Sequence, residues 1–155
     1  MRAQNRPRFR PHISATPQDE TGYFLVAKEV VIRMLEADNG HIVNISVSQS
    51  TMTRKGGVPY GLSRAGSEAL SRIMATDLQD SSVRVNLLLP GGPTETGMLP
   101  PAAELPAGFE PIKARVMGPP IVWLASPQAR DVHNERIVAT EFDEWLQERN
   151  SRSGS

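Results

Sequence analysis

Hydrophobic and polar positions divide the chain into a patternless head and a body that switches between helical and strand periodicity. From Thr21 onward Tyr23, Phe24, Leu25, Val26, Ala27, Val30, Val31, Ile32, Met34 and Leu35 are apolar almost all round a helix, which predicts a helix covered on more than one face. Asp38-Asn39-Gly40 supplies turn-forming residues tolerant of the left-handed conformation, which end it. His41 to Val47 follows as a β-branched run of strand length. A hydroxyl-rich loop then runs from Ser48 through Ser50, Thr51 and Thr53 to Gly56-Gly57. Pro59 opens a second helix with Leu62, Ala65, Gly66, Ala69, Leu70, Ile73, Met74 and Leu78 along one side, and its small residues permit close packing.

Ser81-Ser82 breaks that helix, and Val83 to Leu89 is a nearly continuous apolar run that stops at Pro90-Gly91-Gly92-Pro93, the signature of a strand buried on both faces of a parallel sheet. The proline-rich stretch from Leu99 to Pro111 predicts a long excursion over the sheet edge, of the kind that covers sites. A short helix near Pro120 to Ala125, a strand from Arg136 to Ala139 and a helix from Glu141 to Glu148 complete the pattern. Helices alternating with apolar strands predict an α/β domain with a parallel sheet of about three strands. Residues 1–18 read as a disordered Arg/Pro-rich head, 19–149 as the domain and 150–155 as a flexible tail.

Composition narrows the chemistry. The 155 residues, 39% hydrophobic, suit one globular domain, and no apolar run approaches the ~20 residues that span a bilayer. The first ten residues do not resemble a secretory signal, so the expected location is cytoplasmic. Zero cysteines exclude disulfides and thiolate chemistry, and His12, His41 and His133 lack metal-ligand spacing. Basic and acidic residues number 17 each, but Arg2, Arg6, Arg8 and Arg10 precede the first acid, Asp19. The balanced body argues against nucleic acid as a partner; the head is read as a plain arm over a phosphate-binding arm or a mitochondrial presequence. Trp123, Trp145, Met74, Met98 and Met117 are expected to fill core or interface space.

Three stretches carry a resemblance: Asn44-Ile45-Ser46-Val47-Ser48 ending a strand, Tyr60-Gly61-Leu62-Ser63-Arg64-Ala65-Gly66 opening a helix, and Asn86 to Gly91 ending the next strand. In order and spacing they resemble the short-chain dehydrogenase/reductase family over roughly residues 19 to 145, with supporting matches at Gly22 to Lys28 and Trp123 to Ser126. The resemblance implies a partial Rossmann-like, doubly wound sheet, with NAD or NADP as cofactor and a small carbonyl or alcohol as substrate. The family's G-x-x-x-G-x-G turn and Asn-Asn-Ala-Gly segment do not occur in these residues, so only the family's C-terminal half is represented.

The resemblance further implies reversible hydride transfer with Tyr60 as proton donor and acceptor. A free phenol has a pKa of about 10, so a neighbouring cation must favour its ionised form. The family's lysine position is Arg64, four residues on; either it stands in for the lysine, imperfectly because guanidinium holds its proton and projects differently, or it is a surface residue paired with Glu68. The family's serine falls in register on Val47, which leaves Ser48, favoured over Ser46, to hold the substrate oxygen; both hydroxyls could equally serve local turns. Asp19 stands where the family has an asparagine and reads as an N-cap. Pro90, Gly91 and Gly92 with Thr96 resemble the loop facing nicotinamide, with Thr94 as a competitor for the role of Thr96. The ending from His133 to Phe142 departs from the family's Thr-Gly and Asp-Gly-Gly.

Two functions follow as expectations: an oxidoreductase of this family, truncated and with weak or no activity, or a non-catalytic remnant acting as an interaction module. Either is expected to form homo-oligomers through the helices at 22–37 and 59–79, because an unpaired edge on the strand from Ile42 to Val47 favours association. The abrupt change of pattern at Asp19 also fits a head translated out of frame.

Overall fold

The computed structural model describes residues 18–99 and 104–153. The head expected over 1–18 therefore lies outside the described residues except for Gln18, as does part of the proline-rich excursion. In chain order the elements are α1 (Gln18–Glu36), β1 (Gly40–Ile45), α2 (Gln49–Met52), α3 (Tyr60–Asp77), β2 (Val83–Leu89), α4 (Gly118–Leu124), β3 (Arg136–Val138) and α5 (Phe142–Ser153).

The three strands form a parallel sheet in the order β1-β2-β3. Gly40 pairs with Val83 and Ile45 with Leu88, while Leu87 pairs with Arg136. Because side chains alternate across a strand, one face carries Ile42, Val83 and Val85, which pack with Ala75, Leu78 and Val31 of the first two long helical segments. The other face carries Val43, Leu88 and Ile137, packed with Leu124, Val132, Ala139 and Phe142. Val83, Leu88 and Ile137 are fully buried, each contributing about 1.5–3 kcal/mol by leaving water. Trp123, Phe142 and Trp145 form an aromatic cluster at 5.6–5.9 Å between ring centroids, the core-filling role expected for both tryptophans.

Polar groups between the layers are paired. Asn86, buried on β2, donates to the Val132 carbonyl (2.8 Å) and accepts from the Glu135 amide (2.8 Å). The Asn86 side-chain nitrogen also lies 2.6 Å from His41 Nε2, and since an amide NH2 can only donate, His41 Nε2 is the acceptor. His133 accepts from the Val85 amide and sits 2.7 Å from the Ala75 carbonyl, to which its other nitrogen donates. Burial pushes the His41 pKa down from its usual 6.5, against a hydrogen bond to the Leu124 backbone that raises it; His133 and Arg84 add repulsion.

Several expectations are corrected. The first strand ends at Ile45, not Val47, and α2 occupies part of the expected hydroxyl loop because Ser48 caps it. The left-handed residue that ends α1 is Asp38 (φ 48°), leaving Gly40 free to begin β1. Asp19 is the second residue of α1 and not its cap. The tail expected from Asn150 is helical to Ser153. The apolar girdle of α1 is not covered on several faces: among the described residues Ala27 is its buried side chain, while Phe24, Leu25, Val26, Ile32 and Leu35 are exposed. Met98 is likewise exposed.

Candidate functional site

The carboxyl ends of β1 and β2 open into a cleft of about 360 Å³, and parallel sheets characteristically take ligands at such ends. Every site residue expected from the sequence lines it: Ser46, Ser48, Tyr60, Arg64, Pro90, Gly91, Gly92 and Thr96, together with Val47 and Thr94. Residues up to 50 positions apart in sequence are brought together because β1 and β2 are adjacent and α3 begins beside their ends.

Tyr60 is the first residue of α3, held there by a tight approach to α2. The Gly61 amide donates to the Gly57 carbonyl (2.6 Å), and a Cβ at Gly61 would collide with the Met52 carbonyl, so the α2–α3 corner requires glycine. One turn along, the Arg64 guanidinium carbon lies 5.2 Å from the Tyr60 ring centroid and 5.9 Å from that of Tyr23. Its Nη1 donates to the Tyr23 hydroxyl (3.3 Å), which donates to the Ile45 carbonyl (3.3 Å). Arg64 is thus stacked between two tyrosines, a contact worth roughly 0.5–2 kcal/mol, and its Nε is buried without a partner among the described residues.

The alternative pairing of Arg64 with Glu68 is overturned. The Glu68 carboxylate turns toward the sheet, where Arg136 Nε donates to it at 3.1 and 3.4 Å and the Ser46 hydroxyl donates to the same oxygen. Arg136 also donates to the Val47 carbonyl (3.0 Å), so one guanidinium joins β3, α3 and the end of β1. Ser46 is buried and its proton is committed to Glu68. Ser48 accepts from the Thr51 amide (3.2 Å) and shares protons with the Ser50 and Thr51 hydroxyls. Both serines therefore have structural partners, and Val47 lines the cleft between them with an apolar side chain. Tyr23, Glu68 and Arg136 were not found as site-supporting residues in the sequence. Glu68 was legible only as a neighbour of Arg64, and nothing local to Arg136 signals its partner.

Across the cleft Gly91 takes φ +106°, and a Cβ there would collide with the Thr140 side chain. Thr94 Oγ1 donates to the Gly92 carbonyl (3.1 Å) and the residue bridges to Ile112, whereas Thr96 is exposed and accepts from the Met98 amide at 3.4 Å. Of the two threonines, Thr96 has the freer hydroxyl. A second, apolar cleft of about 430 Å³ lies between α1 and β1, lined by Tyr23, Val26, Ala27, Val30 and Ile42, with Arg64 on the wall shared with the first. Among the described residues no cluster of three His, Asp or Glu could hold a metal, and no helix is long and apolar enough to cross a membrane.

Comparison with known proteins covers this same region. The profile described as short chain dehydrogenase matches residues 19–105. The chain is 33% identical over 73 residues to 5-keto-D-gluconate 5-reductase of Escherichia coli K12, covering 47% of this chain and 29% of that protein. It is 31% identical over 126 residues to a short-chain type dehydrogenase/reductase of Picea abies, covering 76% of this chain and 46% of that one. A solved short chain dehydrogenase/reductase family protein superposes with a TM-score of 0.66 at 26% identity, over 77% of this chain and 52% of its own. The chain thus spans about half or less of the length of these relatives. The matched segment contains β1, α3 and β2, the elements that build the cleft, and the chain belongs to the short chain dehydrogenase family.

Proposed function

We propose that the chain forms the proton-transfer and substrate side of an NAD(P)-dependent oxidoreductase acting on a small carbonyl or alcohol. The observation that carries this reading is the stacking of Arg64 on Tyr60 at the mouth of a cleft whose opposite wall is the Pro90–Thr96 loop. The cleft residues fit the nicotinamide end of the cofactor: Pro90, Gly91 and Gly92 offer backbone at the strand end, and Thr96 a hydroxyl. When bound, the nicotinamide supplies or accepts the hydride at the carbonyl carbon.

In the reductive direction the Tyr60 hydroxyl gives its proton to the substrate oxygen, and Arg64 favours the phenolate left behind. Ser48, whose hydroxyl can rotate away from its neighbours, holds the same oxygen; Ser46 is the weaker candidate because its proton serves Glu68. Three features predict weak or absent turnover by the 155-residue chain. Arg64 lies over the Tyr60 ring with its Nη1 on the Tyr23 hydroxyl, and a guanidinium cannot pass on a proton. Val47 stands where the family register places a hydroxyl, and the sequence contains no glycine-rich turn for the pyrophosphate. The exposed apolar residues of α1, with Leu62 and Ile73 of α3, support self-association through these helices.

Calorimetric titration with NADH and NADPH tests the reading, followed by carbonyl reduction assays of the parent and Tyr60→Phe. Micromolar binding together with any turnover lost in Tyr60→Phe supports it. Turnover that survives Tyr60→Phe removes Tyr60 from the reaction, and absence of nucleotide binding removes the cofactor from the function of this chain.

A further inference from the structure

Arg54 lines the same cleft as Tyr60 and is exposed, and among the described residues its guanidinium makes no hydrogen bond or ion pair. Its backbone and the root of its side chain are placed by the turn at Gly57. The Gly57 amide donates to the Arg54 carbonyl (3.0 Å), and the Arg54 stem passes 3.3 Å from where a Gly57 Cβ would stand, so the side chain lies over a residue with nothing to obstruct it.

The charge around it is one-sided. The lining residues include two arginines, Arg54 and Arg64, and no carboxylate. Arg64 is engaged by its two tyrosines, Glu68 of α3 is paired with Arg136, and Glu95, in the loop across the cleft, is paired with Lys113 (2.8 Å). Arg54 is therefore the cation left to a ligand, with the Ser48 and Thr51 hydroxyls on the same wall. A guanidinium presents paired N–H groups that match the two oxygens of a carboxylate or phosphate.

We propose that the cleft selects a substrate bearing an oxyanion, a compact hydroxy or oxo acid or its phosphorylated counterpart, and that Arg54 is the specificity residue that anchors its charge. The proposal rests on the oxidoreductase reading for its chemistry, though the anion site itself is defined by the cleft alone. It places the negative group at the α2 end of the cleft and leaves the rest of the ligand toward Tyr60.

The test uses the full chain, isotopically labelled, titrated with D-gluconate and with D-glucitol, which matches it in length but carries no charge. Saturable shifts at the Ser48, Thr51 and Gly57 amides with gluconate and not glucitol are expected. Arg54→Gln should weaken gluconate binding by roughly tenfold or more and Arg54→Lys by less, consistent with loss of a charge-assisted pair. Failure of inorganic phosphate to displace gluconate shows an anchor selective for carboxylate, displacement an anchor that takes phosphate as well, and both support the anchor. Equal binding of gluconate and glucitol, no saturable binding of either anion, or Arg54→Gln binding like the parent overturns it. NADH and NADPH are titrated separately against parent and Arg54→Gln. Arg54-dependent anion binding without nucleotide binding keeps this proposal and removes the oxidoreductase reading, whereas nucleotide binding without anion preference does the reverse. Loss of nucleotide binding in Arg54→Gln assigns the residue to the cofactor and overturns the proposal.

Discussion

β1 and β2 are adjacent parallel strands of 6 and 7 residues, both rich in branched apolar side chains, yet they lie in different environments. In β2 every residue except Arg84 is buried, while β1 is half-buried along its length and exposed at Ile45. The difference comes from neighbours and not from composition. β2 is hydrogen-bonded on both sides and covered on both faces, whereas among the described residues β1 has a strand on one side only and a helix, α1, whose own apolar side chains face outward. The candidate site lies on the seam between these regions: Tyr60, Arg64 and Ser48 belong to the open side, and the Pro90–Thr96 loop grows from the closed one.

The comparison can be broken most forcefully from within the closed side. Leu88→Ala should cost about 2–5 kcal/mol of unfolding free energy, since it leaves a cavity in a filled core. Ile42→Ala, at a half-buried position of β1, should cost less than half as much. Urea unfolding of the two variants measures the contrast, and equal losses would show that β1 is as enclosed as β2.

Next in size is the bond across the seam. Glu68→Ala removes the acceptor shared by Ser46 and Arg136 and leaves the buried Ser46 hydroxyl and Arg136 Nε unsatisfied, for a loss of about 1–3 kcal/mol. Much of the cost falls on the end of β1, so amide exchange at Ser46 and Val47 should quicken more than at Leu88. Uniform quickening would place the bond in the global core instead.

A smaller effect is expected at the chemistry itself. Arg64→Lys combined with Val47→Ser supplies a compact ammonium and the hydroxyl that the family register calls for, and should raise carbonyl reduction by about tenfold over the parent. No gain in a steady-state assay would show that cofactor capture, and not the acid/base pair, limits turnover.

The smallest effect is a pH dependence centred on the interlayer histidine. Because the folded pKa of His41 lies below 6.5, the unfolded chain binds more protons as pH falls through 6.5. Its contribution to stability is thus full above about pH 6.5, declines as pH drops from there toward the lower folded value, and then levels off. Denaturation curves between pH 7.5 and 5 should show this decline, and His41→Gln should flatten it.

The order of elements, the burial of β2 and the i to i+4 placement of Tyr60 and Arg64 are determined by the sequence alone, because they follow from local periodicity and from breakers such as Asp38-Asn39-Gly40 and Pro90-Gly91-Gly92-Pro93. The cleft residues were also legible, since strand ends and the first turn of the following helix converge in a parallel sheet. Which partner each polar group takes was decided only in the tertiary structure. Arg64 and Glu68 are one turn apart, and helix spacing alone would pair them; instead Glu68 turns to Arg136, 68 positions away in sequence, because β3 brings that guanidinium over the buried Ser46, and Arg64 is left to Tyr23 on α1. Likewise the outward apolar face of α1 depends on what packs beside it, and not on its own pattern. Periodicity encodes which side of an element is apolar, but the choice among competing partners is made by distances that exist only once the layers have closed.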